Sequence, residues 1–385
     1  MRRIALLLAL APAAGAGAEL DADAAKAVAE GVRWLRSRQA GDGSWGSIGE
    51  TGDAYAFPAG PTALALWTLL KSGVAPDDPQ VKRGFSYLER YYRVPLSTYE
   101  TAVLMLAIEA RINPWGPGRD APGRARARGA EKEWLQELHG KLVKECADGG
   151  WRYGGNIPGP HGIPRDVCHS HFAALALLAA HRAGVRAPKE TAAAIATWIL
   201  EEQEPKGPRH ARFVDLGREE LPARPVSDEA RGWAYAKTSP SAYESRTTGA
   251  MTSAGLVTLL CADALLRDTD PRAHTKMKER IEKGAHDGLA WLDLHWTVKK
   301  NPPEDDPTGY HLLHLLGLER VGDLRGVERI GHNLWWDAVA DWLVRHQNKD
   351  GSWLVADTHA PHDLLCTCFS LHALSRSALS YGTAD

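Results

Sequence analysis

The segment Trp342-Leu343-Val344-Arg345-His346-Gln347-Asn348-Lys349-Asp350-Gly351-Ser352-Trp353 recurs near the other end of the chain. There it reads Trp34-Leu35-Arg36-Ser37-Arg38-Gln39-Ala40-Gly41-Asp42-Gly43-Ser44-Trp45. Both copies are W-L-x-x-x-Q-x-x-D-G-S-W, and Glu145-Cys146-Ala147-Asp148-Gly149-Gly150-Trp151 matches the second half. The pattern describes an amphipathic helix that buries Trp-Leu on its inner face and ends near the Gln. Asp-Gly then turns the chain, with Gly supplying a positive φ, and the second Trp covers the turn. Such a unit cannot bury its apolar face alone, so its recurrence requires stacked neighbours.

Aligned on this anchor, the chain shows further helices of the same kind at Tyr87-Leu88, Leu142-Val143, Trp198-Ile199 and Trp291-Leu292. Each anchor is followed by a turn and a second helix, expected over 61–70, 97–112, 166–184, 248–266, 308–321 and 363–379. The second set is apolar almost all round, as buried helices are, whereas the first is amphipathic. Thr62, Ser97, Asp166, Thr248, Asp306 and Asp363 stand where N-caps belong. Two segments break the rhythm: 113–128, rich in Pro, Gly and Arg, and a long insertion at 204–247. A loop of the second length is more often functional than accidental, and this one is long enough to roof the ring. Within it, Arg231-Gly232-Trp233 is the remnant of the repeat's turn.

Q-x-x-D-G-S-W after a helix resembles the repeat of squalene and oxidosqualene cyclases and of protein prenyltransferase β-subunits. It is similar to the exported bacterial prenyltransferase/squalene-oxidase-repeat proteins. The resemblance covers nearly all of the chain after its leader. It implies an all-α (α/α)6 toroid of terpenoid cyclase/protein prenyltransferase type, with six outer and six inner helices alternating in one domain over 19–385. In that family the cavity opens toward the inner-helix N-termini, where helix dipoles converge. Tyr99, His169, Tyr310, His311 and His362 stand at those ends and are the expected ligand-binding residues. Glu100 and His171 lie beside them.

Two family motifs have partial counterparts. The prenyltransferase zinc site joins a D-x-C to a D-x-x-H-x-C; here Asp166-Val167-Cys168 and Asp363-Leu364-Leu365-Cys366-Thr367-Cys368 occupy those places. The resemblance implies zinc on Asp166, Cys168 and Cys366, although Cys366 stands where the family has His; all three are acceptable zinc ligands. The D-x-D-D-T acid of squalene cyclases is matched by Pro303-Glu304-Asp305-Asp306-Pro307-Thr308, without the first Asp and with Pro307 intervening. Asp305 and Asp306 are the expected catalytic acids, since crowded carboxylates raise one pKa and retain a proton. His311 and His314, three apart on one helix, read as a pair on an interhelix face.

Residues 1–18 read as a signal peptide: Arg2-Arg3, an apolar run from Ile4 to Ala11, then Ala14-Gly15-Ala16 or Ala16-Gly17-Ala18. The protein is therefore expected to be exported, periplasmic or secreted. No later apolar run is expected to reach the length of a bilayer span. The five cysteines sit in apolar helical stretches and read as inert buried thiols. A formal net charge of -2 gives no reason to expect nucleic acid as a partner. Three functions fit: a toroid binding or transforming an apolar, isoprenoid-like ligand; a carbohydrate-active enzyme such as a glycosidase or polysaccharide lyase; or a non-catalytic scaffold for a protein partner. Paired carboxylates among exposed aromatics would favour the second, and a closed apolar pocket the first.

Overall fold

The computed structural model describes residues 14–46, 57–115, 125–154, 162–213, 226–303, 309–355 and 362–378, with side chains from residue 20 onward. Among them, outer helices α1 (Ala14–Ser37), α3 (Pro79–Tyr91), α5 (Gly129–Glu145), α7 (Lys189–Glu202), α9 (Pro271–Leu294) and α11 (Trp335–Arg345) each carry one of the anchors near their C-terminal end. They alternate with α2 (Gly60–Lys71), α4 (Thr98–Ile112), α6 (Val167–Arg182), α8 (Gly249–Thr269), α10 (His311–Arg325) and α12 (Asp363–Leu374). The second set packs in sequence, α2 on α4, then α6, α8, α10 and α12, and α12 returns to α2. The chain is an all-α protein with an α/α toroid fold.

Hydrogen bonds in the repeat's turn explain why its letters recur. The turn tryptophan donates its indole N–H to the anchor helix, Trp45 to the Leu35 carbonyl at 2.7 Å and Trp353 to that of Leu343 at 2.8 Å. Its backbone N–H reaches a hydroxyl on the next inner helix, Thr62 at 3.0 Å and Thr367 at 3.0 Å. Thr62 is thus a receptor for the turn inside α2 rather than the expected cap. The Gln closes the turn and staples it to the next outer helix: Gln39 donates to the carbonyls of Gly43 and Gln80, and Gln347 to those of Gly351 and Ala27. Gly351 has φ +94°, and a Cβ there would lie 2.6 Å from the Glu30 carbonyl oxygen of α1. The turn after α11 therefore packs directly on α1, and Trp34 donates to Asp350 at 3.2 Å. The two nearly identical segments meet because the last repeat closes the ring on the first.

The interrupted fourth repeat makes the same bonds. Trp233 donates to the Ile199 carbonyl at 2.8 Å and its N–H to Thr252 at 3.2 Å, while Gln203 bridges Arg231 and Gly284 of α9. Between Gln203 and Trp233 the described residues form an antiparallel pair, β1 (Arg209–Ala211) with β2 (Ser227–Glu229). This pair does not roof the ring. It lies on the outer wall against α9, held by Arg231 on the buried Asp287 and His210 on Asp293. A second small hairpin, β3 (Arg329–Ile330) with β4 (Asn333–Leu334), also reaches α9.

Caps fall where expected at Ser97, Asp166 and Thr248, whose side chains accept from the N–H groups of Glu100, His169 and Met251. Asp363 instead begins α12, after His362. Helix α8 corrects the expectation about membrane-length runs: its 21 residues are long and apolar enough to span a bilayer. It is an inner helix packed between α6 and α10, apolar on all sides because protein surrounds it.

Candidate functional site

Segments leading out of inner helices are short at 72–78 and 183–188. Inner-helix N-termini expose N–H groups without intrahelical partners. Here incoming segments satisfy them by a recurring device. The Tyr153 carbonyl accepts from Thr98 at the start of α4 (2.7 Å), and the Tyr235 carbonyl from Val167 at the start of α6 (2.9 Å). Both tyrosines lie two residues after a turn tryptophan, Trp151 and Trp233. The repeat thereby carries an aromatic ring over each of these two helix ends.

These rings gather around His169, which is fully buried. Tyr99 lies 3.7 Å from the imidazole centroid to centroid, and Tyr153 at 4.2 Å. Phe57 and Phe172 pack edge-on against Tyr99 at 6.2 and 5.6 Å. Asp166 does two jobs: one oxygen accepts the His169 backbone N–H at 2.8 Å, and the other lies 2.7 Å from its Nδ1. With Nδ1–H donated to the carboxylate, Nε2 of the neutral ring would be an acceptor; it is buried and has no hydrogen-bond partner among the described residues. Burial, and then the neighbouring Cys168, Tyr235 and Asp166, raise the Tyr99 phenol well above its ordinary pKa. Burial first and Asp166 second push the Cys168 thiol up to about 12. The phenol and the thiol both stay protonated near neutrality, so the cluster presents aromatic faces, O–H groups and one imidazole nitrogen.

Beneath it, inside the ring, lies Arg320 of α10. Its guanidinium sits over Phe172 (4.8 Å) and Trp67 (5.4 Å), and Nη1 donates to His171 Nε2 at 2.6 Å. His171 in turn donates from Nδ1 to the Cys168 carbonyl. Burial and then Arg320 lower the His171 pKa well below its usual value, so the ring is neutral. A buried cation between two aromatic faces is a favourable arrangement.

Of the expected site residues, the structure brings together Tyr99, His169, Asp166 and Cys168. Tyr310 follows them at the rim: it is 44% exposed, has φ +58°, and is near enough to raise the Tyr153 pKa. His311 is engaged elsewhere, donating to the Val298 carbonyl at 2.8 Å, as His314 donates to that of Thr297 at 3.0 Å. The pair fastens the incoming 297–298 segment, which matches the interhelix-face reading. His362 is half-buried before α12, 3.8 Å from Asp363. The zinc set is not assembled. Around the ring α6 and α12 stand opposite one another, which places Asp166 and Cys168 across from Cys366. Among the described residues no three His, Cys, Asp or Glu side chains form a metal-ligand group. The five cysteines are free. Asp305 and Asp306 lie outside the described residues, as does most of the leader.

The residues missed by sequence reasoning are Phe57, Tyr153, Phe172 and Tyr235. Tyr153 and Tyr235 had a signal, their shared register two residues after a repeat tryptophan. Phe57 and Phe172 had none beyond being apolar.

Solved structures share the α/α toroid fold. A type II terpene cyclase from Scytonema, in complex with merosterolic acid A, superposes with a TM-score of 0.56 at 12% identity. That comparison covers 94% of this chain and 99% of that one. The same cyclase has also been solved with geranylgeranyl dihydroxybenzoate as substrate, TM-score 0.55 at 12% identity over the same coverage. An α-1,6-mannanase from Salegentibacter sp. HEL1_6, in complex with α-1,6-mannotetrose, superposes with a TM-score of 0.54 at 10% identity over 93% and 99%. At these identities the likeness is one of fold. No family model and no curated protein matches the sequence.

Proposed function

We propose that this is an exported toroid protein that binds an apolar, isoprenoid-like ligand at the inner-helix N-termini, among Phe57, Tyr99, Tyr153 and Phe172. The observation that carries the reading is the gathering of these rings around His169 while the neighbouring carboxylates and Arg320 are already engaged. Glu100 accepts from Ala59 N–H and the Ser97 hydroxyl, Asp166 holds His169, and His171 holds Arg320. Sugar hydrolysis needs two carboxyl groups facing one bond. The carboxylates described at this end instead cap helices and orient a histidine. Aromatic faces favour apolar chains, and His169 Nε2 offers one acceptor for a hydroxyl on such a ligand. The letters of residues 1–18 support export.

The test is a binding titration of the purified protein with geranylgeraniol, followed by tryptophan fluorescence, with α-1,6-mannotriose measured beside it. Saturable geranylgeraniol binding is expected, weakened about tenfold in Tyr99→Ala, the effect of losing one well-packed aromatic contact. Saturable mannotriose binding without geranylgeraniol binding would overturn the proposal in favour of a carbohydrate toroid.

A further inference from the structure

On the outer wall, away from the aromatic cluster, the two hairpins and α9 enclose a cavity of about 90 Å³. Its wall is apolar at Phe213, Leu289, Ala290 and Val327, and its charged lining is unbalanced. Three arginines, Arg212, Arg325 and Arg329, come from three separate segments, with His286 among them. Both lining carboxylates are occupied. Asp228 forms a two-pronged pair with Arg212 at 2.8 and 2.6 Å. Asp293 accepts from His332 N–H and Asn333, and its other oxygen faces His210 at 2.7 Å. Arg329 uses Nη1 on the His332 carbonyl, while among the described residues the ion-pair partner of Arg325 is Glu282, at 3.9 Å. In the lining, arginines outnumber carboxylates three to two. Burial first, then Arg325 and Arg212, lower the His286 pKa. Against the upward pull of burial, Arg212 and then His286 and Lys283 hold Asp228 low.

The geometry points to a second site here, on the outer wall, for a phosphate group. Guanidinium forks suit a tetrahedral oxyanion, which two arginines and an imidazole approach from different sides. The volume accommodates a phosphate with a few atoms attached, being several times what one water needs. The apolar wall fits a phosphomonoester whose substituent lies against Phe213 and Leu289. Asp228 occupies Arg212, Asp293 is held by His332, Asn333 and His210, and Glu282 approaches Arg325 only to 3.9 Å, which leaves Arg325 and Arg329 to meet the oxyanion. The proposal is independent of the aromatic cluster, since no residue is shared.

Calorimetric titrations of the full protein with inorganic phosphate, phenyl phosphate and, as a neutral control, benzyl alcohol test this at constant ionic strength. Phosphate and phenyl phosphate are expected to bind, and benzyl alcohol not. Phenyl phosphate binding about tenfold or more tightly than phosphate identifies a phosphomonoester as the ligand, and equal affinity identifies free phosphate. Arg325→Gln and, separately, Arg329→Gln are expected to weaken binding about tenfold or more each while leaving geranylgeraniol binding unchanged. Arg329 is half-exposed, so its variant tests the site even if Arg325→Gln fails to fold. Absence of binding by both phosphates, or binding that Arg329→Gln leaves intact, would overturn the assignment.

Discussion

The last and the fourth repeats use one set of contacts written in two ways. In the last repeat, Gln347, Gly351 and Trp353 follow one another within a single tight turn. In the fourth, Gln203 and Trp233 stand far apart in sequence, yet Gln203 reaches the Arg231 carbonyl and Trp233 the Ile199 carbonyl in the same manner. The position of Gly351 is taken by Arg231, whose guanidinium clamps Asp287 of α9. The unit is therefore a set of bonds between neighbouring helices rather than a stretch of letters. Chain can be inserted into it as long as the Gln and Trp ends are returned to their places.

The largest test of this equivalence is removal of the two tryptophans. Trp233→Ala and Trp353→Ala should each cost ~3–5 kcal/mol, measured by urea denaturation. Both indoles are essentially unexposed and donate to a helix carbonyl. A loss in Trp233→Ala below about half of that in Trp353→Ala would mean that the insertion has taken over the work of the repeat.

Next in size is a pH effect that compares inner and outer helices. Burial pushes His314 of α10 down to about 4, and burial followed by His181 pushes His139 of α5 down to about 4. The unfolded chain takes up these protons at about the ordinary histidine value, near pH 6.5, before the folded one does. Their contribution is therefore complete above that pH and declines as pH falls toward 4. His314→Gln and His139→Gln should each flatten the fall in stability between about pH 7 and about pH 4.5. If the fall is unchanged in His314→Gln, the inner histidine is not held neutral.

Gly351→Ala should follow, at ~2–3 kcal/mol, from the positive φ and the approach to the Glu30 carbonyl. Thermal melting of this variant beside Arg231→Lys reports on the equivalent position of the interrupted repeat, where a side chain is already accommodated. A negligible loss in Gly351→Ala would show that the closing turn has room to shift away from α1.

The alternation of helices was legible because both periodicities are local: anchors such as Trp342-Leu343 mark amphipathic helices, and runs such as 248–266 mark buried ones. Of the site, Tyr99, Asp166, Cys168 and His169 were legible because they begin inner helices. Zinc was over-read. D-x-C spacing describes one helix start, while coordination needs the distance between α6 and α12, which no local pattern contains. The place of Arg320 was not legible for the same reason. In the sequence it is a charged residue near a helix end, and only the closed ring places it between Trp67 and Phe172 against His171.

By itself the sequence determined the unit, its repetition and hence stacked pairs of helices, because each W-L…Q…G…W segment leaves an apolar face that only a neighbouring copy can cover; the closed ring was what the family resemblance implied. Tertiary structure decided which side chains share a site. Tyr153 and Tyr235 reach α4 and α6 by capping their N-termini from segments that follow other helices, and the 90 Å³ outer cavity forms where two hairpins fold back on α9. Backbone hydrogen bonds and ring closure set those distances. They join residues far apart in the chain, and no periodicity records them.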